Sequence, residues 1–185
     1  MNDAAAREIA ARQHGCIHRD QFDGDPAADW YDDAPLVWSI PDLIDARTQD
    51  VAWMLAVDST MFAGSATKVV ASHVTACRFY GVGVLTGPAE FWTLGDQKLF
   101  VERRVRIHVC RELPPHRMIG GVPVTSPAAT VQDLIDDFVS SDHVGRIVSD
   151  MIQRGVATRE ELDGELGADT VKTLLDVFAA SAARH

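Results

Sequence analysis

The sequence predicts an α+β fold: N-terminal helices, a small antiparallel sheet and a helical C-terminal part. Three observations support this order. Helical spacing of apolar residues and helix-capping residues are common up to residue 57, alternating hydrophobicity and turn residues replace them between about 89 and 124, and helical signals return from about 126 to 183. We therefore expect an N-terminal segment over residues 1–45 and a main domain over residues 46–185.

The N-terminal elements are predicted mainly from their ends. Gly15 stands where it would stop an amphipathic helix over residues 3–14. A second short helix is expected to begin near His18, because Gln21 occupies the partner position of a capping box. Further along, breaker residues are found at 23–26, a strand candidate at 36–40 and helical spacing at 42–57.

The middle of the chain combines one helix with the predicted strands. Ser72 and Gly81 are the expected cap and stop of the helix between them. Strand candidates follow at residues 91–94, 98–101 and 105–109. In the last of these, Arg106 and His108 alternate with valine and isoleucine, so both are expected on one face of the strand.

Capping signals divide the C-terminal part into helices. Ser126 is an expected cap, and Pro127 occupies the first helical position, where its missing N–H is harmless. Further helices are expected at residues 142–154, from the capping box at 158–161, and from about residue 169.

The net charge of −10 is distributed unevenly. Residues 1–60 carry −8, residues 61–120 carry +4 and residues 121–185 carry −6. Such a surface repels a phosphate backbone over most of its area and is better suited to a basic protein partner. The contents of 46% hydrophobic and 24% charged residues indicate a globular chain rather than a disordered one.

The sequence contains none of the common catalytic motifs. A GxSxG elbow, a Walker loop, a dinucleotide fingerprint and an HExxH pair are all missing, so we expect neither an enzyme nor a cofactor. His108, Cys110 and His116 suggest zinc, but no CxxC or HxxxH pair involves them, and we expect no metal site. Ser72 and His73 are neighbours on a helix, where side chains diverge by about 100°, and are not expected to form a dyad.

We expect a cytoplasmic protein without membrane contact. No apolar run approaches the roughly 20 residues that cross a bilayer, and the first residues show no signal-peptide core. Three scattered cysteines are typical of a reducing compartment rather than of a disulfide framework.

Two motifs in a fixed order carry a family resemblance. The first reads VVASHVTA at residues 69–76 and ends in Gly81, and the second reads GVPVTSPAAT at residues 121–130 and continues to Asp133. With the segment IQRGVATREEL at residues 152–162, they resemble the AbiEi family of antitoxins from abortive-infection toxin–antitoxin systems. The resemblance covers roughly residues 66–166.

The resemblance implies structural roles for the motif positions. In this chain they are Ser72, His73, Ala76, Gly81, Thr125, Ser126, Pro127, Thr130 and Asp133. We expect Ser72 to accept from backbone N–H groups of its helix and His73 to hydrogen-bond to a neighbouring element. The family often has an arginine before Thr130, and the Ala129 of this chain lacks any ion pair made there.

The N-terminus departs from the family pattern. Relatives usually begin with a winged helix, in which a recognition helix and a basic wing follow the first two helices. Residues 1–22 resemble the opening of that module, but residues 23–45 carry seven aspartates and neither lysine nor arginine. Because such a segment would repel DNA in the major groove, we expect a degenerate winged helix reduced to little more than its first two helices.

Three groups of residues are candidates for contact with a partner. They are Asp29, Trp30, Tyr31, Asp32 and Asp33 in the N-terminal segment, Arg103, Arg104 and Arg106 in the basic strand, and Asp136 and Asp137 on the first C-terminal helix. Each group has a simpler explanation. The two aromatic residues can fold into the core, the arginines can protect an edge strand, and the last two aspartates can form a solvated helix face.

The resemblance implies an antitoxin that neutralises a cognate nucleotidyltransferase-type toxin. The acidic N-terminus favours neutralisation by direct protein–protein binding. The alternative is a DNA-binding autorepressor of its own operon that retains the winged helix. A third hypothesis, a stand-alone nuclease, predicts metal-dependent cleavage of a plasmid.

Overall fold

A computed structural model describes residues 3–23, 25–83, 86–95 and 104–184 of the 185-residue chain. The described residues form helices α1 (Asp3–Ala11), α2 (Thr48–Val57), α3 (His73–Tyr80), α4 (Pro127–Asp136), α5 (Ser141–Gln153), α6 (Arg159–Leu166) and α7 (Ala168–Ala182). The strands are β1 (Cys16–His18), β2 (Tyr31–Ala34), β3 (Val37–Ser39), β4 (Val69–Ala71), β5 (Ala89–Leu94), β6 (Val105–Cys110), β7 (His116–Ile119) and β8 (Val122–Thr125). The predicted α+β class is confirmed.

The N-terminal segment folds around a three-stranded antiparallel sheet in the order β1-β3-β2. His18 and Gln21 form both halves of a capping box, but the predicted second helix is a single 3-10 turn at Arg19–Gln21. The described residues between that turn and β2 contain no helix. Gly15 has a φ of +85°, and a Cβ there would lie 2.6 Å from the carbonyl oxygen of Leu43, so this turn requires glycine.

The second sheet has five strands in the order β6-β5-β4-β8-β7. It is mixed rather than antiparallel, because β4–β8 and β5–β6 pair in parallel while β4–β5 and β7–β8 pair antiparallel. Its strand β4 precedes the range in which we expected the sheet. The expected strand at residues 98–101 lies outside the described residues, as does the second half of the turn expected at 95–96.

Two large apolar clusters hold the chain together. The first lies between α2 and the five-stranded sheet and includes Cys16 and Val37 from the N-terminal sheet, so it contains residues from both sides of position 45. The second lies among α3, α4, α5, α6 and α7. The capping box at Thr158 and the cap at Ser126 both form as expected, and they begin α6 and α4. None of the helices in the described part of the chain is long and apolar enough to cross a bilayer.

Candidate functional site

A strained turn at the end of strand β4 positions His73. Ser72 is extended, with φ −137°, and the next residue, His73, has a φ of +46°. A left-handed backbone is rare for a residue other than glycine, asparagine or aspartate, and it costs on the order of 1–3 kcal/mol. His73 is 2% exposed, so the surrounding residues hold this conformation in the interior.

Three aromatic rings from three elements pack together at this turn. The imidazole of His73 stacks on that of His108 from β6, with ring centroids 4.3 Å apart and planes 13° apart. Trp92 of β5 lies beside both rings, at 6.0 Å from His73 and 4.9 Å from His108. Trp92 and His108 are opposite each other in the parallel β5–β6 register, which explains why they meet.

Carboxylates from α4 and β5 surround the rings. Trp92 Nε1 donates to both oxygens of Asp133 at 3.2 Å, and Asp133 Oδ2 lies 3.9 Å from His73 Nδ1. Asp137 Oδ2 lies 3.9 Å from His73 Nε2. Arg106 joins the group from β6, with its Nη1 2.9 Å from Glu90 and 2.8 Å from Asp137. We call these seven residues the polar cluster: His73, Glu90, Trp92, Arg106, His108, Asp133 and Asp137.

Burial shifts the titration of the polar cluster towards neutral forms. Burial raises the pKa of Asp133 to about 7, against the opposing effect of the Trp92 hydrogen bond, and it raises the pKa of Glu90. Burial, with a smaller contribution from His108, lowers the pKa of His73 to about 4. The pKa of His108 is lowered mainly by its own burial. At neutral pH both imidazoles are therefore uncharged, and each offers a lone pair.

The structure changes the expected role of Ser72. Its hydroxyl does not cap α3 but lies 2.9 Å from Nδ1 of His73. The expectation that these neighbours diverge is wrong, because it assumed helical geometry at both residues, whereas Ser72 is extended and His73 is left-handed. His73 does reach a neighbouring element, but through its backbone N–H, which donates to the Asp133 carboxylate of α4, while its ring stacks on His108. The backbone N–H groups at the start of α3 reach carboxylates instead, with Val74 N donating to Glu90 Oε2 at 3.4 Å.

The remaining motif residues stabilise the helices and turns that surround the polar cluster. Gly81 has the expected left-handed conformation, with a φ of +68°, and Ala76 is fully buried. Ser126 accepts from the backbone N–H of Ala129, with Pro127 in the first turn. The hydroxyls of Thr125 and Thr130 lie 2.7 Å apart. The two sequence motifs converge because Ala71, just before Ser72, pairs with Val124 in the parallel β4–β8 ladder.

The N-terminal partner candidates divide between surface and core. Trp30 is 8% exposed and packs against Phe22, so this residue folds into the core. Tyr31 is 55% exposed, with Asp29 and Asp32 exposed on either side of it. Asp33 is half-buried and accepts a hydrogen bond from Ser39. Residues 29–33 therefore present one exposed tyrosine among acidic groups, and we call them the acidic segment.

The arginine and C-terminal candidates have different environments. Among the described strands, β6 lies at an edge of its sheet, as the simpler explanation required, but Arg106 pairs with Glu90 and Asp137 of the polar cluster. Arg104 is exposed, and Arg103 lies outside the described residues. Asp136 accepts from Gln132, and Asp137 pairs with Arg106, so neither aspartate is only a solvated charge.

An exposed phenylalanine directly follows these aspartates in the chain. Phe138 is 94% exposed and has a φ of +57°, because α4 has already ended at Asp136. It borders a groove of about 610 Å³ between the end of α4, the start of α5 and α7, whose apolar walls include Ile135, Val144 and Leu174. An exposed aromatic ring at the rim of an apolar groove is a candidate anchor for a binding partner.

The polar cluster was only partly visible in the sequence. Glu90 and Trp92 belong to no motif, and only their spacing of two residues along β5 indicated that they lie on one face of the strand. His108 was grouped with Cys110 and His116, but in the structure its nearest potential metal-ligand partners are His73 and Asp137. His116 is exposed and hydrogen-bonds to the carbonyl of Pro114.

The fold and these surfaces define an α+β protein with two sheets, a helical C-terminal part and a buried polar cluster. No family model and no curated protein matches the chain. Among solved structures, it is similar to the crystal structure of the Rv2827c protein from Mycobacterium tuberculosis, with a TM-score of 0.51 and 14% sequence identity. The alignment covers 95% of this chain and 76% of that chain. At this identity the similarity shows a common fold alone.

Proposed function

We propose that this protein is an antitoxin that neutralises a nucleotidyltransferase-type toxin by binding it directly. The exposed surface of the acidic segment is the observation that carries the proposal. The resemblance of residues 1–22 to the opening of a winged helix implies that a DNA-reading helix and wing would follow here, yet the exposed groups are Asp29, Asp32 and Tyr31, which is 55% exposed. An enzyme that handles nucleoside triphosphates and RNA has a cationic cleft, and an acidic surface with an aromatic anchor complements it.

The groove at Phe138 supports the same function. Exposing a phenylalanine in a left-handed backbone is unfavourable for the isolated protein, both in strain and in unburied apolar area. Asp169 lines the groove and adds negative charge, and the exposed Asp136 directly follows the lining residue Ile135 in the chain. A cationic partner that buries Phe138 would recover the apolar contribution and match the charge. The motif resemblance to AbiEi antitoxins points to the same class of partner.

The test is co-expression with the product of the neighbouring gene. We expect rescue of growth together with co-purification of the two proteins. Tyr31→Ala and Phe138→Ala are each expected to weaken the complex by about tenfold or more, the loss typical of an aromatic anchor. Met118→Ala is the matched control, because Met118 is 57% exposed on the far edge strand β7 and should leave binding unchanged.

A DNA-binding autorepressor is the competing function, and the β2–β3 hairpin favours it because a hairpin follows α1 and β1 as a wing would. A gel shift on the protein's own promoter at physiological salt separates the two. Tight, sequence-specific binding of that DNA, combined with failure to rescue growth and to co-purify, would refute the antitoxin proposal.

A further inference from the structure

A buried imidazole nitrogen in the polar cluster lacks a hydrogen-bond partner. His108 Nε2 is inaccessible to solvent and has no partner among the described atoms. An unsatisfied buried nitrogen is unfavourable in a folded protein and calls for an explanation such as a ligand or an ion. This nitrogen faces a group in which another imidazole and a carboxylate are close by.

The neighbouring groups have the composition of a transition-metal site. His73, His108 and Asp137 each offer one ligand atom, and these three atoms all lie within 4.8 Å of one another. Around a tetrahedral ion bound at about 2.1 Å, donor atoms are roughly 3.4 Å apart. His73 Nε2 and Asp137 Oδ2 are already 3.9 Å apart, so small side-chain rotations would bring these two atoms to the spacing of metal ligands. The imidazole of His108 must turn partly out of its stack on His73 for its lone pair to point at the ion.

The surroundings of His73 orient its ring for this role. When Nδ1–H donates to Ser72 Oγ, 2.9 Å away, Nε2 carries the lone pair and faces Asp137. Metal-binding histidines usually have their second nitrogen fixed in this way. His73 is 2% exposed, so its ring is already held in place and needs little further ordering when an ion binds.

The charge of the site favours a cation. Arg106 is paired with Glu90 and Asp137, and Asp136 acts electrostatically on His73, so these four side chains carry a formal excess of two negative charges without counting Asp133, whose pKa of about 7 leaves it partly neutral. A divalent ion would offset that excess. Arg106 would give up Asp137 and keep Glu90, and its side chain is 55% exposed, which leaves it free to move and opens a path for the ion.

We propose that His73 Nε2, His108 Nε2 and Asp137 Oδ2 form a binding site for a divalent transition cation of the Zn²⁺ type. Two imidazoles and one carboxylate suit Zn²⁺ over Mg²⁺ or Ca²⁺, which prefer oxygen ligands. Three protein ligands leave a fourth position for water. This inference is independent of the antitoxin proposal, because it concerns the chain without its partner.

The experiment is titration of tag-free, metal-free protein with Co²⁺, followed by visible absorption, and with Zn²⁺, followed by calorimetry. We expect one equivalent to bind, with Co²⁺ giving the strong visible bands of a tetrahedral complex that Zn²⁺ then abolishes. His108→Ala should lower the affinity more than 100-fold. Ser72→Ala, which only removes the group that orients His73, should lower it about 10- to 100-fold.

Controls distinguish this site from adventitious binding. His116→Ala and His143→Ala alter exposed histidines outside the cluster and should leave affinity unchanged, as should Cys110→Ser. Asp137→Asn changes a side chain at the exposed end of α4 and reports on the site even if His108→Ala folds poorly. The proposal is overturned if the wild-type protein binds no stoichiometric ion at micromolar concentrations. Binding that survives both His108→Ala and Asp137→Asn would overturn it as well.

Discussion

Substituting Gly145 by alanine tests a close contact between α5 and α7. Gly145 lies in α5, and a Cβ there would be 2.1 Å from the carbonyl oxygen of Leu174 and 2.9 Å from Cβ of Phe178 in α7. Ordinary contact begins at roughly 3.5 Å. Because the nearest atom belongs to the backbone, no side-chain rotation relieves the clash, and the two helices must separate by about 1 Å.

The expected change is a net loss of stability of about 1–2 kcal/mol. Alanine gains about 0.8–1.0 kcal/mol over glycine from helix propensity, while overpacking a tight interface costs about 1–3 kcal/mol, here near the upper end. Gly164→Ala is the matched control in exposed α6, where a Cβ meets nothing within 4 Å. That variant should be more stable than wild type by about 0.5–1 kcal/mol.

Urea unfolding followed by far-UV circular dichroism measures both changes. In thermal unfolding, a loss of 1 kcal/mol corresponds to a shift of about 2–4 °C for a chain of this length. Since α5 and α7 also line the groove beside Phe138, Gly145→Ala should weaken binding of the proposed partner too. If Gly145→Ala matches or exceeds the stability of the wild type while Gly164→Ala is stabilised as expected, the described α5–α7 packing is wrong.

Three further predictions address other parts of the chain. In the native protein, a thiol reagent should modify the partly exposed Cys110 readily, and the buried Cys16 and Cys77 only after unfolding. Burial also raises the pKa of the Cys16 and Cys77 thiols, to about 12 for Cys77. Three rapidly reacting thiols would contradict this prediction. Burial lowers the pKa of His18 below its ordinary 6.5, so its charged form is disfavoured in the fold and the free energy of unfolding should decrease as the pH falls below about 6.5. His18→Asn keeps a side-chain acceptor at the cap but cannot be protonated, so it should lose less stability than wild type between about pH 7.5 and 5.5 in urea titrations; equal losses would refute the assignment. Arg78 donates to both oxygens of Asp50, which is 6% exposed, at 2.9 and 2.7 Å. Arg78→Ala should therefore lower the free energy of unfolding by about 3 kcal/mol in the same assay, at the low end of the range for a buried pair because the guanidinium is partly exposed. Arg78→Lys should lose less stability than Arg78→Ala but remain below wild type. A loss below about 1 kcal/mol for Arg78→Ala would exclude a structural role for the pair.

Local signals predicted the helices well because their causes lie within a few residues. Ser126 and Thr158 begin α4 and α6 through hydrogen bonds to residues three positions on, and Gly81 ends α3 by adopting the left-handed backbone that it favours over other residues. The mixed pairing of the larger sheet was not predictable in this way. Strand order depends on which strands meet across long separations, and β4–β8 joins residues more than 50 positions apart.

The sequence by itself determined the α+β class, the starts of α4 and α6, the end of α3, the acidic character of residues 23–45 and the two motifs, since each follows from composition or from spacing along the chain. Only the tertiary structure decided that His73 stacks on His108, that Trp30 is buried while Tyr31 and Phe138 are exposed, and that Asp137 lies beside both imidazoles. The physical reason is the backbone at Ser72 and His73. One left-handed residue redirects a side chain from the expected helical position into a cluster built from four distant elements, and the energy that holds it there comes from packing rather than from local preference.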